Sequence, residues 1–246
     1  MNNGYKEARI SLYVIAVITV IIMAIYLISS LMISMGYRSY RESHETAAFN
    51  SSKTVIIDAG HGGEDPGAVG NGLIEKDLNL SVSLFLADIL RANGYNVVMT
   101  RTEDVQLYND GEENRKKYYD LRNRKAIAES EKDALFISIH MNKFPLESCK
   151  GIQTFYSPNN GGSRILAEYI QSSAKSLQPD NKRLVKDGSD GIYLLENLKI
   201  PAILVECGFL SNQTEAKMLA QESYRRSLAL FIYCGIADYF ESEGKV

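Results

Sequence analysis

Three short apolar runs constrain what this chain can fold into: Val55–Asp58, Ala134–His140 and Pro201–Glu206. The first is mostly β-branched, which favours the pleated, half-buried surface of a strand. The segments between them carry a different period. Leu78, Val82, Phe85 and Ile89 recur at helical spacing through Glu75–Ala92, and Asn93-Gly94 closes that segment. A helix around Leu121 and Ala128 runs to about Ser130. Another spans Ser163–Leu177, with Ile165, Leu166, Tyr169 and Ile170 inward, and two more span Gln213–Ala220 and Tyr224–Phe240. Tyr95–Thr100, Gly151–Tyr156 and Ile192–Leu195 read as further strands. This alternation predicts an α/β fold: a single domain with a mainly parallel or mixed sheet covered by helices on both faces. It leaves the strand order open.

The first fifty residues have another character. Ile10–Met35 contains no charged residue, and about 20 apolar residues suffice to cross a bilayer, whereas a secretory apolar core needs only about 7–15. The expected organisation is a short flank (1–9), an N-terminal transmembrane helix serving as anchor or uncleaved signal (10–35), a polar tether (36–52) and a folded domain (53–242). A cleaved signal is the lesser reading, with Thr46-Ala47-Ala48 as its processing site. The net charge of −3 gives no reason to expect a nucleic-acid partner. Cys149, Cys207 and Cys234 are odd in number and lack CxxC spacing; Cys207 and Cys234 lie in apolar segments and are expected to be buried free thiols. Two charged insertions, Asp104–Asp120 and Pro179–Gly191, read either as solvated loops or as the rim of a cleft.

The apolar strands deliver chemistry at their carboxyl ends, where open α/β sheets place their ligands. His61 follows the first strand in a Gly60-His61-Gly62-Gly63 loop, and His140 and Glu206 end the other two. Glu75 opens the first helix of the domain. The glycine-rich loop resembles a phosphate cradle only weakly, because the P-loop lysine and full GxGxxG spacing are missing. An acidic residue in a first helical turn has a dipole explanation, but a glutamate inside Ile-Leu-Val-Glu-Cys-Gly-Phe is costly to bury without a role. Two histidines and a glutamate are a common ligand set for catalytic zinc, with a second glutamate as base. The pattern points to metal-assisted hydrolysis.

These residues also carry a resemblance. Asp58-Ala-Gly-His-Gly-Gly-Glu-Asp-Pro-Gly-Ala68, Gly72-Leu-Ile-Glu-Lys-Asp77, Phe136-Ile-Ser-Ile-His-Met-Asn142 and Val205-Glu-Cys-Gly-Phe-Leu-Ser-Asn212 resemble the motifs of the zinc-dependent N-acetylmuramoyl-L-alanine amidases of the amidase-3 type. Thr100-Arg101 and the Leu121, Arg124, Ala128 spacing agree, and the likeness extends over Thr54–Tyr239. Ala59, Glu129 and Lys143 depart from the usual proline, asparagine and alanine without removing a ligand. The resemblance implies one Zn²⁺ per chain held by His61, Glu75 and His140, with Glu206 as general base. It places Asn142 and the N–H groups of Gly62 and Gly63 near substrate or oxyanion. The implied substrate is the amide joining N-acetylmuramic acid to L-alanine in peptidoglycan. The anchored, single-domain layout looks most like the spore-cortex amidases, which implies a catalytic domain on the cell-wall side and allows for an activating partner protein. A zinc peptidase would more commonly show H-E-x-x-H or H-x-H, and both are missing. A wall-binding module without activity would be expected to lose a ligand or the base, and all four are intact.

Overall fold

The computed structural model describes residues 17–35, 38 and 52–243, in two units, Met1–Ala48 and Phe49–Val246. Within the first unit, helix α1 (Val17–Met35) has a mean hydropathy of 2.5 and exposed apolar side chains throughout. At about 1.5 Å per residue it matches the roughly 30 Å hydrocarbon core of a bilayer. Residues 10–16 of the expected span, Thr46-Ala47-Ala48 and most of the tether lie outside the described residues.

The second unit opens with β1 (Thr54–Ala59), a hairpin of β2 (Val69–Gly70) and β3 (Leu73–Ile74), helix α2 (Glu75–Ala92) and β4 (Asn96–Met99). Then follow α3 (Lys116–Glu129), β5 (Ala134–Asn142), β6 (Gln153–Tyr156), α4 (Gly161–Leu177), β7 (Lys186–Asp187) and α5 (Tyr193–Asn197). Strand β8 (Ala202–Phe209), α6 (Gln213–Leu219) and α7 (Glu222–Glu243) complete it. The main sheet has the order β4-β1-β5-β8-β6-β7 and is parallel except where β6 meets β8.

Parallel strands covered on both faces read as continuous apolar runs because alternate residues enter two different cores. Val55, Ile57, Ile137, Ile139, Ile203 and Val205 pack in one core with side chains of α2, α4 and α7. Ile56, Phe136 and Leu204 face the other way and join Ala128 of α3 with Leu194 and Leu195 of α5 in a smaller core.

Local differences from the sequence expectation have local causes. Ile192–Leu195 is not a strand: Tyr193–Asn197 forms one helical turn, in which Leu198 N donates to Leu194 O. A four-residue apolar run does not distinguish the two states, and here Leu194, Leu195 and Leu198 are all buried, as one turn against a core requires. The Asp104–Asp120 insertion is shorter than expected, since α3 begins at Lys116. Within Pro179–Gly191, Lys186 and Asp187 add an edge strand. Strand β6 starts at Gln153 because Gly151 takes φ +101°. Ile165 points outward, and Cys234 is half-buried instead of buried; neither Cys149 nor Cys234 is enclosed as Cys207 is.

Candidate metal centre

The sheet register assembles the site. His140 pairs with Glu206 across β5 and β8, and Glu206 pairs with Gln153 across β8 and β6. Cross-strand partners share a face, so the three side chains form a row on the side covered by α3 and α5. His61 arrives from the loop after β1, and Glu75 from the first residue of α2. Potential ligand atoms of His61, Glu75 and His140 all lie within 4.8 Å of one another. Glu75 Oε1 is 2.9 Å from His140 Nδ1 and 3.3 Å from His61 Nε2. The two imidazoles meet edge to face, with centroids 5.0 Å apart.

Glycines make this convergence possible at two points. A Cβ on Gly60 would sit 2.2 Å from His140 Nε2, and one on Gly67 would sit 2.5 Å from Glu75 Oε2 and 2.6 Å from His61 Cδ2. His61 itself holds φ +60°, a conformation uncommon for a residue with a Cβ. Two buried arginines fasten the loop that imposes it. Arg124 donates to His61 O (2.7 Å) and Ala59 O (2.8 Å), and Arg101 donates to Ala59 O (2.8 Å) and Gly60 O (3.0 Å). Arg124 also pairs with Asp58 (2.6 Å) and Asp120 (2.9 Å). Asp58 in turn accepts from Thr100 and Ser138. Burial opposes the ionisation of Asp58, but Arg124 and these hydrogen bonds outweigh it and keep its carboxyl below the usual range.

The electrostatics of the cluster are those of a cation site. Burial opposes charge on Glu75, yet its contacts with His140 and His61 hold its carboxyl well below the ordinary carboxylate range. Ala68 N, at 2.6 Å, and Met141 N, at 3.1 Å, donate to it as well. Burial lowers the His61 pKa, but Glu75 and Asp65 more than offset that and raise it overall. Asp65 Oδ2 lies 2.8 Å from His61 Nδ1, leaving Nε2 toward Glu75. An anionic carboxylate, two imidazoles on it and a carboxylate behind one of them fit a zinc-type ion by donor chemistry.

Glu206 differs from Glu75. The residue as a whole is half-buried, but Oε2 is out of solvent and has no hydrogen-bond partner. Desolvation dominates and pushes its pKa up to about 7, against the opposing pull of His140 and with some help from Glu75. A carboxyl poised there exchanges protons near neutrality, which suits a general base and acid.

The other expected positions are placed as follows. Asn142 is half-buried beyond a register shift in β5, and its carbonyl accepts from Leu210 N at 2.7 Å. Gly62 and Gly63 do not offer free N–H groups: Gly62 N donates to Asp65 O (3.0 Å) and Gly63 N to Asp104 Oδ1 (2.7 Å). Their lack of a Cβ admits the Val105–Gln106 backbone, which a Cβ on Gly62 would meet at 2.2 Å. Both glycines thus have a packing role at this loop. Lys143 donates to Val69 O at 2.8 Å and ties the β2–β3 hairpin to the end of β5. Asp65 was not singled out as a functional residue; a carboxylate four residues after a candidate ligand histidine was the available signal.

A family model described as N-acetylmuramoyl-L-alanine amidase, amidase-3 type, matches residues 55–238. The germination-specific N-acetylmuramoyl-L-alanine amidase of Bacillus subtilis (strain 168) is 39% identical over 196 residues, which is 79% of this chain and 82% of that protein. The solved CwlD amidase from Clostridioides difficile, in complex with the GerS lipoprotein, superposes with a TM-score of 0.74 at 40% identity, covering 77% of this chain and 99% of that one. The catalytic domain of CwlV from Bacillus (Paenibacillus) polymyxa var. colistinus gives 0.66 at 30% identity, covering 77% and 98%.

Proposed function

This chain belongs to the amidase-3 family of N-acetylmuramoyl-L-alanine amidases, and we propose that it cleaves the muramoyl–L-alanine amide with zinc held by His61, Glu75 and His140. The observation that carries the reading is the buried, unpartnered Oε2 of Glu206, one strand away from His140 and beside the three-residue cluster. When bound, the ion supplies Lewis acidity toward the scissile carbonyl and acidifies water. Glu206 accepts the proton of the attacking water and delivers it to the leaving amine nitrogen. Desolvation raises its pKa, which suits one carboxyl to both accept and return the proton. Glu75 contributes a permanent negative charge, Asp65 fixes the His61 tautomer, and the arginine-fastened loop keeps His61 Nε2 aimed at Glu75. Asn142 belongs to the substrate-binding edge.

The germination-specific relative and the CwlD likeness support a role in spore-cortex maturation. Helix α1 then serves as an anchor or uncleaved signal that keeps the domain on the wall side, and a lipoprotein partner, as seen with the C. difficile relative, belongs to the same reading. Substitution Glu206→Gln tests the assignment. Zinc content is expected to remain near one per chain while turnover of peptidoglycan falls by about 10²–10⁴-fold. Near-normal turnover removes Glu206 from the chemistry.

A further inference from the structure

Near the start of β6 lies an open cavity of about 890 Å³ that the proposed chemistry leaves unused and that none of His140, Glu206 and Gln153 lines. It is bounded by the Ser148–Gly151 approach to β6, the Gln178–Arg183 segment after α4, and the start of α6. Both charged insertions read as rim candidates from sequence; this cavity is lined by the second. Arg183 links it to the catalytic row. Its Nη1 donates to Gln153 Oε1 at 2.8 Å, its Nε to Lys150 O at 2.7 Å, and its guanidinium stacks 4.6 Å over the Phe209 ring. Gln153 is the cross-strand partner of Glu206, so Arg183 stands one side chain away from the proposed base.

The charge of the lining is unbalanced. Lys150, Lys182 and Arg183 line the cavity, and none makes an ion pair with another described residue. Glu215 does not neutralise them structurally by pairing, because its carboxylate accepts from Gly151 N (2.9 Å), Phe209 N (2.8 Å) and Gln178 Nε2 (3.0 Å). Asp180 is the other acid on the wall. Three cations against Glu215 and Asp180 leave the lining with one positive charge in excess, on a chain with net charge −3, and that excess favours an anion. The loop is also built to hold shape: Asn181 Nδ2 donates to Ile152 O (2.8 Å) and Asn181 Oδ1 accepts from Arg183 N (3.0 Å).

We propose that this cavity is a subsite for the free carboxylates of the stem peptide, with Lys150, Lys182 and Arg183 as specificity-determining residues. The inference rests on the proposed amidase reading for the identity of the ligand. It gives the enzyme a grip on the peptide half of its substrate, on the side of Glu206 away from His140.

The test uses the full chain in detergent with zinc, as wild type and as the double variant Lys150→Glu, Lys182→Glu. Both positions are exposed and outside the proposed catalytic set. The probes are a stem peptide beginning with L-alanine, with free carboxylates, and its counterpart with those carboxylates converted to amides; binding is measured by calorimetry. Each reversed charge exchanges an attraction for a repulsion, so the double variant is expected to bind the free-carboxylate peptide roughly tenfold more weakly. Its affinity for the amidated peptide is expected to change less than twofold. Equal losses for both peptides, or no loss for either, overturn the subsite. Turnover of a disaccharide–peptide by the wild type, run alongside, reports separately on the activity. Carboxylate-dependent binding without turnover sinks the amidase reading and leaves the anion pocket; turnover without carboxylate dependence does the reverse.

Discussion

Replacing Glu206 with Gln is expected to change how the stability of the metal-free catalytic unit depends on pH. In the unfolded chain this carboxyl titrates at its ordinary 4.5, and in the folded chain desolvation carries it up to about 7. Between those values the unfolded chain has released a proton that the folded chain still holds. Stability therefore falls as pH rises from 4.5 to 7, is flat above, and is unaffected by this group well below 4.5. Each pKa unit corresponds to about 1.4 kcal/mol, so the full penalty is on the order of 3 kcal/mol, most of which develops between pH 5 and 8.5. Glutamine has no such titration. It carries a fixed cost of about 1–3 kcal/mol if its amide finds no partner where Oε2 now has none, but that cost does not vary with pH. The assay is urea unfolding of the unit from Phe49 onward, after chelation, for both proteins at both pH values. The difference in stability between Gln variant and wild type is expected to move in favour of the variant by roughly 2–3 kcal/mol between pH 5 and 8.5. A difference that stays flat refutes the argument that Glu206 is held in a desolvated, unpaired state.

Other substitutions probe the surroundings of the cluster. Asp65→Asn keeps an acceptor near His61 Nδ1 but removes its charge, and zinc affinity measured by competition with a chelating dye is expected to fall about 10–100-fold with little change in the circular dichroism spectrum. Gly67→Ala puts a Cβ 2.5 Å from Glu75 Oε2 on a residue already at φ +65°, so metal content in the purified protein is expected to drop below one per chain; stoichiometric zinc contradicts the cradle. Arg124→Met strands buried Asp58 and frees the His61 carbonyl, and urea unfolding is expected to show a loss of about 3–5 kcal/mol.

His61, His140 and Glu206 stood out in the sequence because they end or directly follow the most apolar strands, whereas Glu75 opens helix α2. Val55–Asp58, Ala134–His140 and Pro201–Glu206 announce themselves as strands buried on both faces, and a His or Glu at such an end stands out. The machinery behind them was harder to see. Arg124 meets Asp58 from 66 residues away, and Arg101 reaches Gly60 from 41, distances at which periodicity says nothing about contact. Asn71-Gly72 was a readable signal that went unused: both take positive φ, +50° and +77°, and turn the β2–β3 hairpin. The strand order was hidden because it depends on crossovers. Lying between β1 and β8, strand β5 is what puts His140 next to Glu206, and that follows from topology. The partners of the Gly62 and Gly63 N–H groups, Asp65 and Asp104, were equally out of reach of the sequence pattern.

The most direct test of the account is the chemical identity of the cut. Purified, zinc-loaded full-length chain is incubated with isolated peptidoglycan, with the Glu206→Gln variant as control, and the soluble products are resolved by mass spectrometry with labelling of new amino termini. The account predicts peptides with a newly exposed L-alanine amino terminus, intact in their remaining bonds, together with glycan carrying muramic acid residues freed of peptide; the variant is expected to release neither beyond about 1% of the wild-type rate. New amino termini at later stem-peptide residues, with L-alanine still attached to muramic acid, would contradict it.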